Sequence, residues 1–223
     1  MGRPRLHDDT TRRDLLHEAE KLVTKGGTDA VSVRTLASAA GTTTRAVYSL
    51  FGSMEGVFSA LYSEAYLGLI RQMDSVPLTG EPRRDLVRTG LDGFRRWALA
   101  HPNLFRLAFE RVAPNVRPRP EDYEIGLQGL HRLEVLVQKC ADAGLLGNHP
   151  VIAVVAQLSA LCQGLASMEL RGWWADTDLD SEQLWENALT ALVDGLQARA
   201  SAKNVRSPRR ASRRRRALNA IAR

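Results

Sequence analysis

The chain has 223 residues, 44% of them hydrophobic and 25% charged, with a formal net charge of +6, so it holds one long domain or two modest ones around a substantial core. No uninterrupted apolar run approaches the roughly 18–20 residues of a membrane span, and no apolar segment follows the N-terminal positive charges as in a signal peptide. Cys140 and Cys162 form no pattern, so we expect a soluble cytoplasmic protein that has no disulfide or metal scaffold and no membrane partner.

The positive charge is concentrated at the C-terminus. Residues 206–223 carry eight arginines and no acidic residue, so the rest of the chain has a net charge of −2. A block of like charges repels itself, which predicts a disordered basic tail over 201–223. Alternatively, this tail strengthens sequence-independent DNA binding by releasing counterions from phosphates.

At the N-terminus we predict an arm and a supporting helix. Residues 2–5 are too short, charged and proline-broken to fold. Arg3 and Arg5 therefore either lie along DNA phosphates or in a minor groove, or belong to a disordered terminus. The acidic and hydroxyl side chains at 8–10 are suitable N-caps for a helix that continues to about Thr24.

Residues 32–51, SVRTLASAAGTTTRAVYSLF, form the most informative stretch of the chain. Apolar residues recur at helical spacing from Val33 and again from Val47, which predicts two short amphipathic helices. Ser32 is the expected N-cap of the first helix, and Gly41 supplies the backbone freedom for the corner between them. This is the layout of a helix-turn-helix, whose second helix inserts into the DNA major groove.

A longer amphipathic helix is predicted from its N-cap Ser53 to about residue 75, ending before Pro77. We place a domain boundary there. Residues 1–53 form the predicted DNA-binding domain, the fourth helix is a bridge, and residues 81–200 form a second domain.

The second domain is predicted to contain five helices, at 83–100, 102–109, 123–143, 150–172 and from the capping residues Asp180 and Ser181. The segment 114–120, PNVRPRP, reads as a loop. Residues 151–161 are apolar nearly all round, which predicts burial on more than one side. No segment reads as a strand, so the predicted fold class is all-α with about nine helices.

The helix-turn-helix resembles the DNA-binding domain of the TetR (tetracycline repressor-like) family over roughly residues 8–60. The matching positions are Val33–Ala37, Ala40–Gly41, Val47–Tyr48 and Phe51. One position departs from the family, because Met54 stands where a lysine usually contacts a phosphate. The resemblance implies a homodimeric transcriptional regulator, usually a repressor, that is released from its operator by a small molecule bound in the C-terminal domain.

A second, softer resemblance covers residues 94–109, FRRWALAHPNLFRLAF, which look like one subgroup of the family's C-terminal domains. In that subgroup a His-Gly pair recurs, whereas this chain has Gln163–Gly164. The C-terminal half therefore specifies a class of ligand poorly.

Six residues of the helix-turn-helix are the predicted DNA contacts, namely Arg34, Thr42, Thr43, Thr44, Arg45 and Tyr48. Arg45 is the predicted base reader, because a guanidinium pairs bidentately with guanine O6 and N7; a phosphate contact or a solvated arginine is the alternative. Tyr48 and Arg34 resemble phosphate contacts of the family, with packing and plain surface exposure as the respective alternatives.

A ligand pocket is predicted among the middle helices from their aromatic and small polar residues. The candidates are Phe94, Trp97, Phe105, Phe109, Met168, Trp173 and Trp174, with Tyr123, Cys162 and Gln163 as polar markers. The alternative is an ordinary core, since aromatic residues at helical spacing are more often packed than ligand-binding.

The last two helices carry more apolar surface than one partner helix would cover. We therefore expect two copies to form a four-helix interface with two-fold symmetry. Such a dimer places two recognition helices about one DNA turn, or a small multiple, apart, so the operator should be roughly palindromic.

Two other functions were weighed against this interpretation. An enzyme is disfavoured, because the chain has no recognisable catalytic motif and its five histidines are scattered singly; no cofactor or metal is expected. A non-specific DNA-binding, nucleoid-type or interaction protein driven by the basic tail is the remaining alternative.

Overall fold

The computed structural model describes residues 5–110 and 119–203, with side chains over 9–110 and 119–197. The chain divides into two compact units. The first unit is drawn from Met1–Ser75 and Arg96–Gly129, and the second from Val76–Arg95 and Leu130–Arg223.

The described residues are almost entirely helical. In chain order the helices are α1 (Arg5–Gly26), α2 (Val33–Ala39), α3 (Thr44–Phe51), α4 (Met54–Asp74), α5 (Pro82–Arg88), α6 (Arg96–Ala100), α7 (Pro102–Phe109), α8 (Pro120–Asp142), α9 (Val151–Leu170) and α10 (Ser181–Lys203). A 3₁₀ turn lies at Thr28–Ala30, and a π-helical segment at Thr89–Arg95 joins α5 to α6 in one run over 82–100. Counted that way, the described part of the chain has nine helices and no strand, which confirms the all-α prediction.

Three helices begin at the side chains expected to cap them. Ser32 Oγ accepts a hydrogen bond from the Thr35 N–H, and Thr35 Oγ1 accepts one from the Ser32 N–H, which completes a capping box. Ser53 Oγ accepts from the Gly56 N–H at 3.1 Å. The carboxylate of Asp180 accepts from two backbone N–H groups in the first turn of α10. These short-range patterns could be predicted because all the partners are close in sequence.

Two helix starts differ from the prediction. Helix α1 begins at Arg5, ahead of the expected caps at 8–10, since the intervening residues include neither proline nor glycine to stop it. Arg5 is therefore the first residue of a helix and not part of an arm, while Arg3 lies outside the described residues. Helix α8 begins at Pro120 and not at Tyr123, because proline is well tolerated in the first turn of a helix.

Part of the predicted loop at 114–120 and most of the predicted tail at 201–223 lie outside the described residues. Where the structure does describe the start of that tail, α10 continues to Lys203. The expectation of a tail beginning at 201 therefore differs from the observed helix by three residues.

The core of the first unit is built from the apolar faces of α1 to α4, with α6 and α7. Its buried side chains include Leu15, Leu16, Ala19, Leu36, Val47, Phe51, Val57, Phe58, Leu61, Ala65, Leu69, Trp97 and Phe105. Burial of these faces fixes the orientation of α2 and α3 against α1 and α4.

In the second unit, the π-helical segment passes close to α10. A Cβ at Gly90 would lie 2.8 Å from Leu189 Cδ1. Glycine at this position therefore lets the Leu189 side chain pack directly against the backbone of the π-helical segment. The sequence pattern predicted a helix here, but not that its hydrogen bonding changes from α-helical to π-helical.

Helix α9 buries one face within this chain. Its buried residues are Val154, Val155, Leu158, Cys162 and Ala166, so the expected burial on more than one side is not found within a single chain. By length and composition α9 is apolar enough to cross a membrane. The 18-residue stretch with the highest mean hydropathy reaches 1.7, and 28% of that stretch is buried. Gln157, Gln163 and Glu169 interrupt the apolar residues of α9, so the helix contains no uninterrupted apolar run of the length of a span, and core helices of soluble proteins share this composition.

Candidate DNA-binding surface and ligand pocket

The turn between α2 and α3 is fixed by backbone hydrogen bonds. Gly41 has φ +60°, in the left-handed region that favours glycine. Its N–H donates to the Ser38 carbonyl at 3.2 Å, and the Thr42 N–H donates to the Ala37 carbonyl at 2.9 Å. This pair of bonds is a Schellman motif, which ends α2 and sets the direction in which α3 leaves.

Helix α3 is capped by Thr43, whose Oγ1 accepts from the Ala46 N–H at 3.2 Å. The helix itself begins one residue later, at Thr44. Thr42 is half-buried and lies in the turn before the recognition helix. Of the predicted contacts, Thr42 and Thr43 thus have structural tasks in addition to any role in binding.

The outer face of α3 is free of packing. Thr44 and Arg45 are exposed, and Tyr48 is 56% exposed although it is a large aromatic residue. On the opposite face Val47 and Phe51 are buried. The helix therefore directs its polar side chains outward and is held in place by its apolar side chains.

The electrostatics of this surface favour a polyanion. Residues 32–54 contain two arginines and no acidic residue. Arg34 is exposed in the first turn of α2, and Arg45 is exposed on α3. Met54, the first residue of α4, is half-buried and adds no charge to this surface. Exposed arginines suit phosphate contacts.

Helix α3 is anchored on both sides. The Arg12 guanidinium of α1 lies 5.4 Å from the centroid of the Phe51 ring, within the range of a cation–π contact. After Phe51 the chain turns through Gly52, with φ +78°. A Cβ at Gly56 would lie 1.9 Å from the Phe51 carbonyl oxygen, so the start of α4 meets the end of α3 nearly backbone to backbone.

Part of the predicted ligand pocket forms an aromatic cluster in the first unit. The Phe109 ring lies 5.3 Å from Phe105, 6.3 Å from Trp97 and 5.4 Å from Tyr66, measured between centroids. Tyr62 extends the cluster at 4.7 Å from Tyr66. Three of the predicted residues, from α6 and α7, are thus brought together with two tyrosines of α4 that were not predicted.

Two buried polar atoms of this unit have no hydrogen-bond partner among the described residues, namely Trp97 Nε1 and Tyr123 Oη. Burial, followed by interactions with Tyr62, raises the pKa of Tyr66 well above its ordinary value, so its phenol stays neutral. Buried polar groups are normally paired. The two unpaired atoms therefore indicate where a bound molecule could supply acceptors.

The remaining six predicted pocket residues belong to the second unit: Phe94, Cys162, Gln163, Met168, Trp173 and Trp174. They differ widely in environment. Trp174 is buried and its Nε1 donates to Ser181 Oγ at 2.8 Å, whereas Trp173 is 70% exposed. Burial raises the pKa of the Cys162 thiol to about 12, so this thiol remains protonated. The structure thus provides no single environment shared by all ten candidates.

A buried carboxylate that the sequence analysis missed lies at the start of α8. Asp122 accepts hydrogen bonds from Ser63 and, at 2.5 Å, from the Ser59 hydroxyl, and it pairs with Arg119 at 2.9 Å. The Arg119 N–H also donates to Ser59 Oγ at 2.8 Å. These bonds attach α8 to α4. The available signal was the pair of serines spaced i, i+4 within the apolar face of α4.

Asp122 is held in its charged form. Burial opposes ionisation, but the hydrogen bonds from Ser59, Ser63 and Arg119 outweigh it and leave the pKa of Asp122 below its ordinary value.

Over the described residues, no three His, Cys, Asp or Glu side chains are grouped so that they could hold a metal ion.

Two family models match the chain. Residues 15–61 match the bacterial regulatory proteins of the tetR family, and residues 87–192 match the tetracyclin repressor-like C-terminal domain. The chain belongs to the TetR family. It is accordingly a DNA-binding transcriptional regulator, and regulators of this family are generally not enzymes.

Solved structures share the fold at low sequence identity, and no curated protein matches the chain in sequence. A protein of unknown function from Rhodococcus sp. RHA1 is 22% identical, covers 84% of this chain and 95% of its own, and superposes with a TM-score of 0.72. A TetR family transcription regulator from Marinobacter aquaeolei VT8 is 22% identical over 86% and 97%, with a TM-score of 0.64. The TetR family regulator PfmR from Thermus thermophilus is 20% identical over 80% and 96%, with a TM-score of 0.60.

Proposed function

We propose that this TetR family regulator is a cytoplasmic repressor that binds a palindromic operator as a homodimer and leaves it when a small molecule binds. The observation that carries the proposal is the outer face of α3, where Thr44, Arg45 and Tyr48 are exposed on a helix anchored from behind. That arrangement suits insertion into a major groove. In this proposal residues 1–53 bind DNA, α4 is the bridge, and residues 81–200 bind ligand and dimerise.

Within the operator complex, we assign Arg45 to a base edge and Tyr48 and Arg34 to phosphates. The threonine hydroxyls at 42–44 lie at or beside the N-terminus of α3, where side chains reach bases or backbone. Arg3 and Arg5 would add sequence-independent phosphate contacts. Met54 leaves one expected phosphate contact unmade.

The homodimer is proposed to form through α9 and α10. On α9 the exposed residues Ala160 and Gly164 are small, and on α10 Ala191 and Gly195 are similar. A Cβ at either glycine would meet nothing within 4 Å in one chain. Each of these helices therefore has an exposed face of small residues next to its buried face. Such exposed faces support close packing against a second copy.

The effector is proposed to contact the aromatic cluster of the first unit, where Tyr123 Oη is an unpaired buried hydroxyl. Aromatic walls with a few polar groups are typical of small-molecule sites. A ligand changes DNA affinity only by its differential affinity for the DNA-binding and released states. The six candidates in the second unit remain predictions.

The experiment that tests the operator is selection of bound fragments from random DNA, followed by footprinting of the best one. We expect two inverted half-sites about one helical turn, or a small multiple, apart, bound at least about a thousandfold more tightly than random DNA. The same selection with a chain that ends at Lys203 distinguishes this proposal from non-specific DNA binding driven by the basic tail. If full-length protein shows no sequence preference and the shortened chain loses binding, the basic tail drives non-specific association and the proposal is wrong.

A further inference from the structure

Arg12 of α1 lies against the C-terminal end of the DNA-reading helix. Its guanidinium carbon is 5.4 Å from the centroid of the ring of Phe51, the last residue of α3. Phe51 is 6% exposed, whereas Arg12 is half-buried and still reaches solvent. One turn further along α1, Leu15 is fully buried, so the backbone that carries Arg12 is held by the core. Helix α1 thus holds a cation at the edge of α3.

The hydrogen-bond donors of Arg12 are not used within the described part of the chain. Its side chain contacts the Phe51 ring but forms no hydrogen bond or ion pair with the described residues. Two acids precede it by one turn: Asp9 is exposed and does not pair with it, and the side chain of Asp8 lies outside the described ones. A guanidinium carries five N–H groups in a planar fork that suits a phosphate.

The position of Phe51 places this guanidinium beside the exposed side of α3. Phe51 follows Tyr48 at i+3, so the two are neighbours on the helix surface, where the buried side meets the exposed side. A helix with its side chains is about 10–12 Å wide, and the major groove is about 12 Å wide. A helix in that groove meets the sugar–phosphate backbone along its flanks. A cation at the edge of α3 therefore faces phosphates and not base edges.

We propose that Arg12 is a further DNA-binding residue, which contacts a backbone phosphate while its guanidinium remains on the Phe51 ring. The cation–π contact restrains the long side chain before DNA arrives, so less conformational entropy is lost on binding. This inference rests on DNA binding, which membership of the family establishes. It does not depend on a palindromic operator or on release by a ligand.

The neighbouring arginine has a different environment. Arg13 is exposed, and its guanidinium donates to the Asp9 carbonyl and to Thr10 Oγ1, at 3.4 Å in each case. It also lines a cleft between α1, α4 and the corner of α6 and α7. Of these two arginines, Arg12 is the one that lies beside α3, and Arg13 is a matched control for the loss of one charge.

The test is the salt dependence of DNA affinity, measured by fluorescence anisotropy with the full-length protein between about 50 mM and about 200 mM salt. The probes are two labelled duplexes of equal length, the best fragment from the selection and a random sequence. Arg12→Met keeps an unbranched apolar side chain and removes the charge. We expect the slope of log affinity against log salt to become shallower by about 0.9 for each bound chain, because one phosphate contact fewer releases counterions.

Over that range of salt, the affinity difference between wild type and Arg12→Met should therefore shrink about 3.5-fold for each bound chain. The loss of affinity should be equal on the two duplexes, since a phosphate contact carries no base information. Arg12→Gln should give the same shallower slope, and it provides the measurement if methionine destabilises the fold.

Two further variants separate the contact from general effects of charge. Arg13→Met removes the same charge one position along α1 and should keep the wild-type slope. Arg12→Lys keeps the charge without the planar guanidinium, so it should also keep the slope while binding more weakly.

A purely structural role of Arg12 would give a different result. If the residue only anchors α3, Arg12→Met and Arg12→Gln will lower the melting temperature and the affinity but leave the salt slope unchanged, and the proposal is wrong. Equal changes of slope in Arg12→Met and Arg13→Met would also overturn it. Wild-type protein that binds both duplexes equally would count against the proposed function alone, because the slopes still decide whether Arg12 contacts a phosphate.

Discussion

Arg45 and Tyr48 lie one turn apart on the exposed face of α3, and their side chains predict different kinds of DNA contact. We expect Arg45→Ala to cost about 1–3 kcal/mol of operator binding and to relax preference at one or two bases, because it removes a bidentate guanine contact. Tyr48→Phe should weaken all sequences alike, since a phosphate contact carries no base information. Competition binding with single-base operator variants measures both effects.

Arg84→Ala, on α5, is the control for loss of an exposed arginine and should leave operator binding intact. An Arg45→Ala protein with unchanged affinity and unchanged base preference would show that Arg45 is only a solvated side chain.

Asp122 predicts a pH dependence of stability. Its pKa lies below the ordinary value in the folded chain, since the hydrogen bonds from Ser59, Ser63 and Arg119 outweigh the effect of burial. A lowered pKa means that the stabilisation is present above the unfolded pKa of about 4 and is lost as the pH falls through the folded pKa. Thermal melts between about pH 3 and pH 7, which lie on either side of the ordinary carboxyl pKa of about 4, should show this loss.

The variant Asp122→Asn should be less stable by about 1–3 kcal/mol at neutral pH, because charge-assisted bonds are removed. Its stability should also fall less steeply in acid. Asp176→Asn, at an exposed position, is the control. Parallel pH curves for wild type and Asp122→Asn would mean that the carboxylate is not stabilising the fold in its charged form.

At the scale of elements, the junction between α3 and α4 predicts that alanine substitution has opposite consequences for stability at two glycines. Gly56→Ala should destabilise the chain by about 1–3 kcal/mol, because the new Cβ would overlap the Phe51 carbonyl oxygen. Gly129→Ala is the matched control in α8, where the added Cβ makes ordinary contacts of 3.6 Å, and helix propensity favours alanine. Denaturant titration compares the two.

A Gly56→Ala protein as stable as Gly129→Ala would show that the start of α4 can shift away from α3. That outcome would contradict the close approach of their backbones.

The elements predicted from sequence are those specified by neighbouring residues. Ser32, Ser53 and Asp180 cap helices whose partners lie two or three positions away, and the apolar periods of α1 to α4 depend only on local spacing. The Asp122 cluster could not be predicted in the same way, because Ser59 lies 63 positions earlier in the chain. A pattern of residues along one helix does not indicate which helix it will face.

A cleft of the first unit, between α1, α4 and the corner of α6 and α7, was missed for the same reason. Its charged residues come from α1 and α4, where each alone is an ordinary solvated side chain. Only tertiary packing brings Arg13 of α1 and Arg71 of α4 to one cavity. Among the predicted pocket residues, sequence alone likewise gave no means of distinguishing the exposed Trp173 from the buried Trp174.

For the whole molecule, the proposed dimer can be tested by introducing one charge. Ala160→Arg should convert the dimer of 24.7 kDa chains to monomer, because an arginine on the exposed small-residue face of α9 would prevent close helix packing and leave a charge buried in the interface. Sedimentation at micromolar concentration measures the mass. Operator affinity should fall at the same time, since two half-sites are no longer bound together.

Ala143→Arg, exposed just after α8, is the matched control and should remain a dimer. Wild-type protein that sediments as a monomer, or Ala160→Arg protein that stays dimeric, would place the interface elsewhere or remove it.

The close approach at Gly56 also predicts how far the DNA-reading helix would move if α4 tilted. Because the two backbones nearly touch, α3 and the start of α4 behave as one stiff piece, and α4 with its 21 residues acts as a lever about 31 Å long. If α4 rotates by about 5° about its C-terminal end, its N-terminal end, which abuts α3, moves by roughly 2.7 Å. That is about the length of a hydrogen bond, so such a small rotation is predicted to break the proposed base contacts.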